Sequence, residues 1–333
     1  MSDQILKQLL KEYDKKRFIE EELADYKKKA FFTTHPELEK INTDLNTLAI
    51  SISKSVLSNN LEKKNELQMQ FNNLQSKKKL LYKQLNITDN FFLPQYECPL
   101  CNDTGYILDS NNKSILCNCI KQKLFNIKYN SSNIGDLDKE NFSSFNLSLY
   151  SDEINKDKYK ANISPQKNME NVLNIAKRFI NNFDNPNEKN LLFIGNTGLG
   201  KTFLSNCIAY ELLKKGKTVL YQSSINMLDA VIDYKFGKSD NNENIYNNIL
   251  NVDLLIIDDL GTENINSIKF AELFNIINSR LLNQNNHITK TIISSNLNIE
   301  NLFKNYDERI VSRLVGNYNI CRFFGDDIRF IKK

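Results

Sequence analysis

The sequence predicts an α/β domain, built on a parallel sheet with helices on both faces, that follows an all-α region and a small cysteine-rich segment. Three observations lead to this prediction. Short apolar runs alternate with helical patterns after residue 190, the first ninety residues hold one proline and no glycine, and four cysteines lie between residues 98 and 119. Alternating strands and helices are typical of a parallel sheet covered on both faces. A long stretch without glycine favours helix.

The composition limits the class of protein. A chain of 333 residues has room for about two domains. The net charge of +4 permits contact with nucleic acid without requiring it. No apolar run is long enough to span a bilayer, and the N-terminal residues show no secretory signal, so we expect a cytoplasmic location and no membrane partner. Six cysteines in such a chain argue against a disulfide framework.

Residues 1–92 are predicted to form a helical domain. Apolar residues between 6 and 13 fit one helical face, and two further sets recur at helical spacing over 41–52 and 67–85. These two sets are out of heptad phase, and the polar residues 58–60 separate them, so we expect two helices folded back as a hairpin. The domain is either a packing unit or a docking module that presents a groove or face to a partner protein, and the sequence leaves both interpretations open.

Residues 93–125 contain two close cysteine pairs. Thiolates suit Zn²⁺, and two pairs separated by a loop can supply four tetrahedral ligands. A zinc ion held by four protein ligands has no open position, so it would be structural. Residues 106–108 and 114–116 are expected to pair as a short hairpin within the loop. The second pair is closer in sequence than usual, which leaves open whether both of its thiolates bind one ion; a reduced cluster or a redox pair is the alternative. The candidate zinc ligands are Cys98, Cys101, Cys117 and Cys119.

Residues 126–160 are predicted to be a linker and an edge-packing segment. They are polar with scattered aromatic residues, and we expect residues 141–150 to pack across the edge of the domain that follows. That domain is predicted to span 161–333. Its first helix is expected to begin at Ser164-Pro165, because serine caps a helix and proline is favoured in its first turn.

A glycine-rich loop stands between the apolar run 191–194 and a helical pattern. Its sequence fits G-x-x-x-x-G-K-[ST], and the order strand, loop, helix is the context of a phosphate-binding loop. The glycines let backbone N–H groups surround an anion, and the helix N-terminus adds partial positive charge. We expect Lys201 to neutralise the β- and γ-phosphates and Thr202 to hold Mg²⁺. The predicted nucleotide-binding residues are Gly195, Asn196, Thr197, Gly198, Leu199, Gly200, Lys201 and Thr202.

Polar residues end two of the later predicted strands, which cover 218–222, 254–258 and 291–295. Ligands of parallel sheets lie at the carboxyl ends of strands. Asp258 is therefore a candidate Mg²⁺ ligand, and Asp259 is a candidate for orienting the attacking water. Asn296 could hydrogen-bond the γ-phosphate or the water, although an asparagine at a strand end, taken alone, is usually a turn residue.

Three arginines near the C-terminus are candidates for contact with a phosphate. Residues 308–314 read as a helix with arginines four positions apart, one of which could reach a neighbouring subunit's site; the alternative is a solvated, charged face. The third, Arg329, follows the last predicted strand, 321–324.

In these motifs the chain resembles the DnaC/DnaI-type AAA+ ATPases, the bacterial loaders of the replicative helicase. The resemblance covers about two thirds of the chain, from residue 98 to the C-terminus. The segments that carry it are 98–106, 141–150, 195–202, 258–261, 295–297 and 308–314. The first and the last are more specific to the family than the phosphate loop.

The resemblance implies roles for particular residues. Asn296 corresponds to sensor 1, Arg313 to the arginine finger and Arg329 to the sensor 2 arginine. Residues 223–240 occupy the place of the family's initiator-specific helical insertion. Cations and aromatic residues are mixed there, which suits single-stranded DNA. The candidate DNA contacts are Tyr234, Lys235, Phe236 and Lys238.

The resemblance also implies a function. We expect an ATPase that uses ATP and Mg²⁺ to load the hexameric replicative helicase onto single-stranded DNA, with the helicase bound by the N-terminal domain and self-association through the ATPase domain. AAA+ hydrolases usually carry glutamate where this chain has Asp259, and several loaders share the aspartate, so slow, switch-like hydrolysis is expected. The alternatives are a transposition helper ATPase of the IstB type and a zinc-stabilised adaptor that keeps ATP as a structural ligand.

Overall fold

A computed structural model describes residues 2–58, 60–88, 90–127, 139–237, 243–263, 266–282 and 288–330. The chain divides into two compact units, Met1–Cys117 and Asn118–Lys333. Among the described residues, no helix is both long and apolar enough to cross a membrane.

The first unit begins with three helices: α1 (Ser2–Thr34), α2 (Pro36–Leu57) and α3 (Leu61–Gln84). Helices α2 and α3 pack along each other after a short turn, which confirms the predicted hairpin. Leu9, Tyr13 and Leu38 are buried in this unit. Strands β1 (Tyr106–Leu108) and β2 (Ser114–Leu116) then form the predicted antiparallel pair, with Ile107 opposite Ile115.

The second unit carries five further strands and nine α-helices among its described residues. The strands are β3 (Asn190–Ile194), β4 (Val219–Ser223), β5 (Leu254–Leu260), β6 (Lys290–Ser295) and β7 (Tyr318–Arg322). The helices are α4 (Asn118–Phe125), α5 (Lys156–Tyr159), α6 (Pro165–Asn181), α7 (Lys201–Lys214), α8 (Ser224–Lys235), α9 (Glu243–Asn251), α10 (Ser267–Leu282), α11 (Ile299–Asn305) and α12 (Glu308–Asn317). A 3₁₀ turn spans Leu147–Leu149.

The five strands make one parallel sheet in the order β4-β5-β6-β3-β7. Successive side chains of a strand point to opposite faces, and the buried residues divide accordingly. Leu191 and Phe193 lie in a core with α6 and α7, whereas Leu192 and Ile194 lie in a core with α8, α10 and α12. Helices cover both faces, which confirms the predicted fold class.

Residues 141–150 pack against the first of these cores, as predicted. Phe142, Phe145 and Leu149 lie partly buried on it, and Tyr150 is buried within it. The Tyr150 hydroxyl donates to the carbonyl oxygen of Leu199 at 3.0 Å. This segment therefore supports the glycine loop directly. Ser164 accepts a hydrogen bond from the backbone N–H of Lys167, which confirms the predicted start of α6.

The bounds predicted for the last strand are wrong. Strand β7 covers Tyr318–Arg322 rather than 321–324. The prediction missed its start because β7 is an edge strand, and exposed positions interrupt the apolar alternation expected of a strand. Phe323 lies beyond it, where its N–H donates to the carbonyl of Ile194 at 2.7 Å. The chain after β7 is thereby held against the end of β3.

Candidate functional site

The candidate site forms where three adjacent strands end. In the sheet β6 lies between β5 and β3, so the carboxyl ends of all three meet at one edge. The glycine loop follows β3, Asp258 lies near the end of β5, and Asn296 follows β6. Residues far apart in sequence are therefore brought together by the strand order.

The backbone of the glycine loop requires glycine at two positions for steric reasons. Gly195 has φ +147°, and a Cβ there would lie 2.2 Å from the carbonyl oxygen of Phe323. Gly198 has φ +75°, and a Cβ there would lie within 2.2 Å of the Asp327 carboxyl atoms. Both conformations are rare for other residues. The chain after β7 thus packs directly against the loop.

Lys201 is the first residue of α7 and is buried. Its Nζ donates to the carbonyl oxygens of Gly195 at 2.6 Å and Asn196 at 2.7 Å, and to Oδ1 of Asn296 at 2.8 Å. The ammonium group therefore sits inside the loop and beside the end of β6. A phosphate entering the loop would meet this charge.

Burial lowers the pKa of Lys201 from 10.5 to about 8. The carboxylates of Asp259 and Asp258 oppose this shift, and the charge of Arg329 adds to it. Loss of solvent is the largest cause, because a buried ammonium loses the hydration that favours its charged form.

Asp258 is the point at which three elements converge. Its carboxylate accepts hydrogen bonds from Thr202 on α7 at 3.2 Å, from Tyr221 on β4 at 2.5 Å and from Ser294 on β6. Period-two alternation places Asp258 on the same face as Ile256, which is the face that packs on α7. Thr202 and Asp258 were predicted to share Mg²⁺, and the structure brings them into contact.

Tyr221 and Ser294 were not predicted as part of the site. Tyr221 lies inside an apolar strand, where the sequence pattern indicates a core residue. Burial is the largest cause, and the charge of Asp258 the second, of the raised pKa of its phenol. The sequence signal that could have identified Tyr221 is its place two residues before the end of the strand adjacent to Asp258. Ser294 carries a weaker signal, because serines are common near strand ends.

Asp259 adopts a left-handed backbone conformation, with φ +54°. The register of β5 against β6 shifts between Ile257 and Leu260, so the strand bulges at the two aspartates. The Asp259 carboxylate accepts from Nδ2 of Asn296 at 3.3 Å. Burial and the neighbouring charge of Asp258 raise the pKa of Asp259. A raised pKa favours proton transfer by a carboxylate near neutral pH.

Arg309 and Arg313 lie on the exposed side of α12. Their guanidinium groups stand 5.4 Å and 5.9 Å from the centroid of the Phe274 ring on α10. Arg309 also pairs with Asp307 at 2.9 Å, and Nε of Arg313 donates to Oδ1 of Asn278 at 3.3 Å. The side chain of Arg313 thus contacts α10.

Arg329 is exposed and bonded to Asp327, whose carboxylate lies against Gly198. The backbone N–H of Ile328 donates to the carbonyl of Gly198 at 3.0 Å. The structure thus brings the predicted sensor 2 arginine to the loop through an aspartate that the sequence did not single out.

The predicted DNA-contacting residues fall at the end of α8. Phe236 is exposed, but Lys235 Nζ lies 2.6 Å from the buried carboxylate of Glu272, and the Tyr234 ring packs on Tyr246. Lys238 lies outside the described residues. Contact with DNA stays a prediction.

The four predicted zinc ligands come together around the β1–β2 hairpin. Their Sγ atoms all lie within 4.8 Å of one another, and those of Cys98 and Cys117 are 3.9 Å apart. Tetrahedral thiolates at a Zn–S distance of about 2.3 Å would be separated by about 3.8 Å. Asp103 is buried and accepts from the backbone N–H of Cys98 at 2.8 Å, which orients the first pair. The donor set fits one structural zinc ion.

Comparison with known protein families gives one matching family model, the IstB-like ATP binding protein family, over residues 157–329. This match covers half of the chain and includes the glycine loop, both aspartates and the three arginines.

Several curated relatives carry the name replicative helicase loader DnaC. The protein of Escherichia coli K12 is 31% identical over 148 residues, which is 44% of this chain and 58% of the relative. A Buchnera aphidicola protein of the same name is 31% identical over 163 residues, 47% of this chain and 63% of the relative. The chain thus spans about three fifths of the length of these relatives. The crystal structure of the DnaC helicase loader matches with a TM-score of 0.43 and 22% identity, over 54% of this chain and 96% of that one.

The lowered pKa of Lys201 predicts that affinity for a triphosphate depends on pH. The protonated form binds the anion, so affinity should be constant below about pH 8 and fall by up to about tenfold per pH unit above it. A fluorescent ATP analogue titrated between pH 6.5 and 9.5 measures this. Any affinity for the analogue that Lys201→Arg retains should not fall as the pH rises, because arginine stays protonated. A flat profile for the unaltered protein would contradict the prediction.

Proposed function

Because the chain belongs to the family of IstB-like ATP binding proteins, we propose that it binds and slowly hydrolyses ATP in order to load a replicative DNA helicase onto single-stranded DNA. One observation carries the nucleotide part, the meeting of Lys201, Thr202, Asp258 and Asn296 at one edge of the sheet. The names of the curated relatives support the helicase part.

ATP is proposed to lie on the glycine loop with its β- and γ-phosphates at Lys201. That lysine would leave the carbonyls of Gly195 and Asn196 for the phosphate oxygens. Thr202 and Asp258 would hold Mg²⁺, since both are oxygen donors and already in contact. Bound there, Mg²⁺ would neutralise negative charge on the phosphoryl group that is transferred.

Asp259 is proposed to orient the attacking water. Its raised pKa suits a proton acceptor, and its contact with Asn296 links it to the place expected for the γ-phosphate. Aspartate is one methylene shorter than glutamate, so the water would be held less closely and turnover would be slow. Slow turnover suits a switch, in which the bound state persists until hydrolysis releases it.

Self-association is proposed to complete the site. The Arg313 guanidinium is exposed and contacts Asn278 and Phe274 on α10 of its own chain, which leaves it accessible to a neighbouring subunit's phosphate. An arginine supplied in this way stabilises the charge of the transition state. Arg329 is proposed to contact the γ-phosphate after release from Asp327.

The helical unit is proposed to bind the helicase. On α1 the exposed side chains of Ile19, Leu23 and Tyr26 follow helical spacing and form one apolar stripe. Exposed apolar stripes mark surfaces that bind other proteins. Single-stranded DNA is proposed to contact the end of α8, where Phe236 is exposed.

Two other functions are kept as alternatives. A transposition helper ATPase would use a similar nucleotide site, but the separate helical region and cysteine cluster favour the loader. An adaptor that holds ATP without hydrolysing it would need no group for water activation. The contact between Asp259 and Asn296 favours hydrolysis.

Loading of helicase tests the proposed function. Full-length protein with ATP should transfer the replicative helicase of the same cell onto single-stranded DNA, measured by DNA unwinding, while Lys201→Ala should lose ATP affinity roughly 100-fold and lose loading. Lys189→Ala, an exposed lysine outside the loop, is the matched control. Capture of a transposase in place of the helicase, or tight ATP binding without phosphate release, would select one of the alternatives.

The four clustered cysteines are proposed to bind one zinc ion. Purified protein should contain about one zinc ion per chain, and Co²⁺ in its place should give the strong absorption of tetrahedral thiolate ligation. Cys98→Ser should lose the metal, whereas Cys207→Ala, which removes a buried cysteine elsewhere, should keep it. Metal content unchanged by Cys98→Ser would refute the site. Retention of the metal by Cys119→Ser alone would mean that Cys119 is not a ligand.

Arg313 gives a test of self-association. Arg313→Ala should retain ATP affinity but lower the rate of hydrolysis about 100-fold or more, since the arginine acts on a neighbour's nucleotide. Arg309→Ala, four residues earlier on the same helix and over the same Phe274 ring, should change the rate less than about twofold. Mixing Arg313→Ala with Lys201→Ala should restore part of the activity, because the second variant supplies an intact arginine. If mixing restores no ATPase activity and Arg313→Ala also binds ATP more weakly, the arginine acts in the site of its own chain.

A further inference from the structure

A third acidic residue, Glu263, lies in the turn that follows β5, four residues after Asp259. Its side chain is buried, with a relative exposure of 7%. Nothing in the sequence pattern distinguishes it from an ordinary turn residue. A buried carboxylate is costly unless it is well hydrogen-bonded, so its partners are informative.

Three donors from three different elements meet at the Glu263 carboxylate. Oε2 accepts from the backbone N–H of Gly261 at 2.9 Å and from the hydroxyl of Ser224, the first residue of α8, at 2.7 Å. Oε1 accepts from the hydroxyl of Tyr306, which lies between α11 and α12. All three are donors, and burial together with Glu263 raises the pKa of Tyr306, so the phenol keeps its proton. The carboxylate oxygens thus act only as acceptors in these three bonds.

The same network reaches the backbone of Asp259. The Asp259 carbonyl accepts from the hydroxyl of Thr262 at 2.8 Å, and the Ser224 hydroxyl lies 3.1 Å from it. Thr262 supplies the hydroxyl bond to Asp259, whose φ of +54° lies in the left-handed region that side-chain-bearing residues enter less readily than glycine. Glu263 closes the turn from the buried side and holds Ser224 next to that carbonyl. Glu263 thus reaches the turn that carries Asp259 through Gly261 and Ser224.

We infer that Glu263 is a positioning residue for ATP hydrolysis. It fixes the backbone of Asp259 and therefore the direction of the carboxylate proposed to orient water. Through Tyr306 it also ties this turn to α12, which carries Arg313, and through Ser224 to α8, which carries the proposed DNA contacts. The turn 259–263 is then the physical connection between the nucleotide edge and the two elements that would face DNA and a neighbouring subunit. This inference rests on the proposed hydrolysis of ATP.

Glu263→Gln tests it with little change in volume. The amide places a donor where the carboxylate accepts, so one of the three bonds is lost or reversed. We expect kcat for ATP hydrolysis to fall about tenfold or more, because small misplacements of reacting groups are costly, while the Kd for ATP stays within about twofold. The assay is steady-state phosphate release with saturating single-stranded DNA, beside titration of a fluorescent ATP analogue. Glu300→Gln, which alters an exposed glutamate on α11, is the matched control and should change neither value.

A second variant keeps the test decisive if Glu263→Gln fails to fold. Tyr306→Phe removes one hydroxyl from the same carboxylate and should lower kcat about threefold with an unchanged Kd for ATP. In the double variant the two effects should not multiply, because both act through one network. A residue that only stabilised the fold would lower the unfolding temperature and ATP affinity together and leave kcat per bound nucleotide unchanged.

The outcomes separate this inference from the proposed function. Unaltered protein that releases no phosphate would overturn the proposed hydrolysis itself. Normal release by the unaltered protein, with Glu263→Gln and Tyr306→Phe within twofold of it, would overturn only the role of Glu263. A parallel loss of kcat and ATP affinity in both variants would do the same.

Discussion

The Asp258 carboxylate is the interaction on which the candidate site depends. It is buried at the sheet edge and accepts hydroxyl hydrogen bonds from Thr202, Tyr221 and Ser294, which belong to α7, β4 and β6. A buried charge requires such partners, and these partners come from elements that the sheet order brings together. The carboxylate therefore fixes the first turn of α7, and with it Lys201, relative to the ends of the neighbouring strands.

Much of this arrangement could be predicted from the sequence, because it follows from local patterns. The run 191–194, the glycine loop and the helix after it are contiguous, Asp258 directly follows an apolar run, and Asn296 ends the next predicted strand. The rule that parallel strands place their polar ends at one edge is enough to group them. The cysteine pairs are similarly explicit, since four thiols within 22 residues have few ways to be satisfied.

What could not be predicted depends on contacts between distant residues or on the backbone itself. Tyr221 reads as core because its strand is apolar, and only the pairing of β4 with β5 brings its hydroxyl to Asp258. The bulge that turns Asp259 is a shift in register, which no residue pattern marks. The contact of Asp327 with Gly198 joins two turns more than a hundred residues apart. The early start of β7 was missed because edge strands show weak alternation.

The hydrogen bonds of Lys201 within the protein affect the free energy of nucleotide binding. The Lys201 ammonium already donates to two carbonyls of the loop and to Asn296. Its three protons are thus satisfied before any phosphate arrives. Binding a nucleotide is consequently an exchange of internal partners for external ones, and its net free energy is smaller than the sum of the new bonds. The carbonyl oxygens of Gly195 and Asn196 must then accept hydrogen bonds from water or a neighbouring group. Their loss of Lys201 is therefore an unfavourable contribution to the free energy of nucleotide binding.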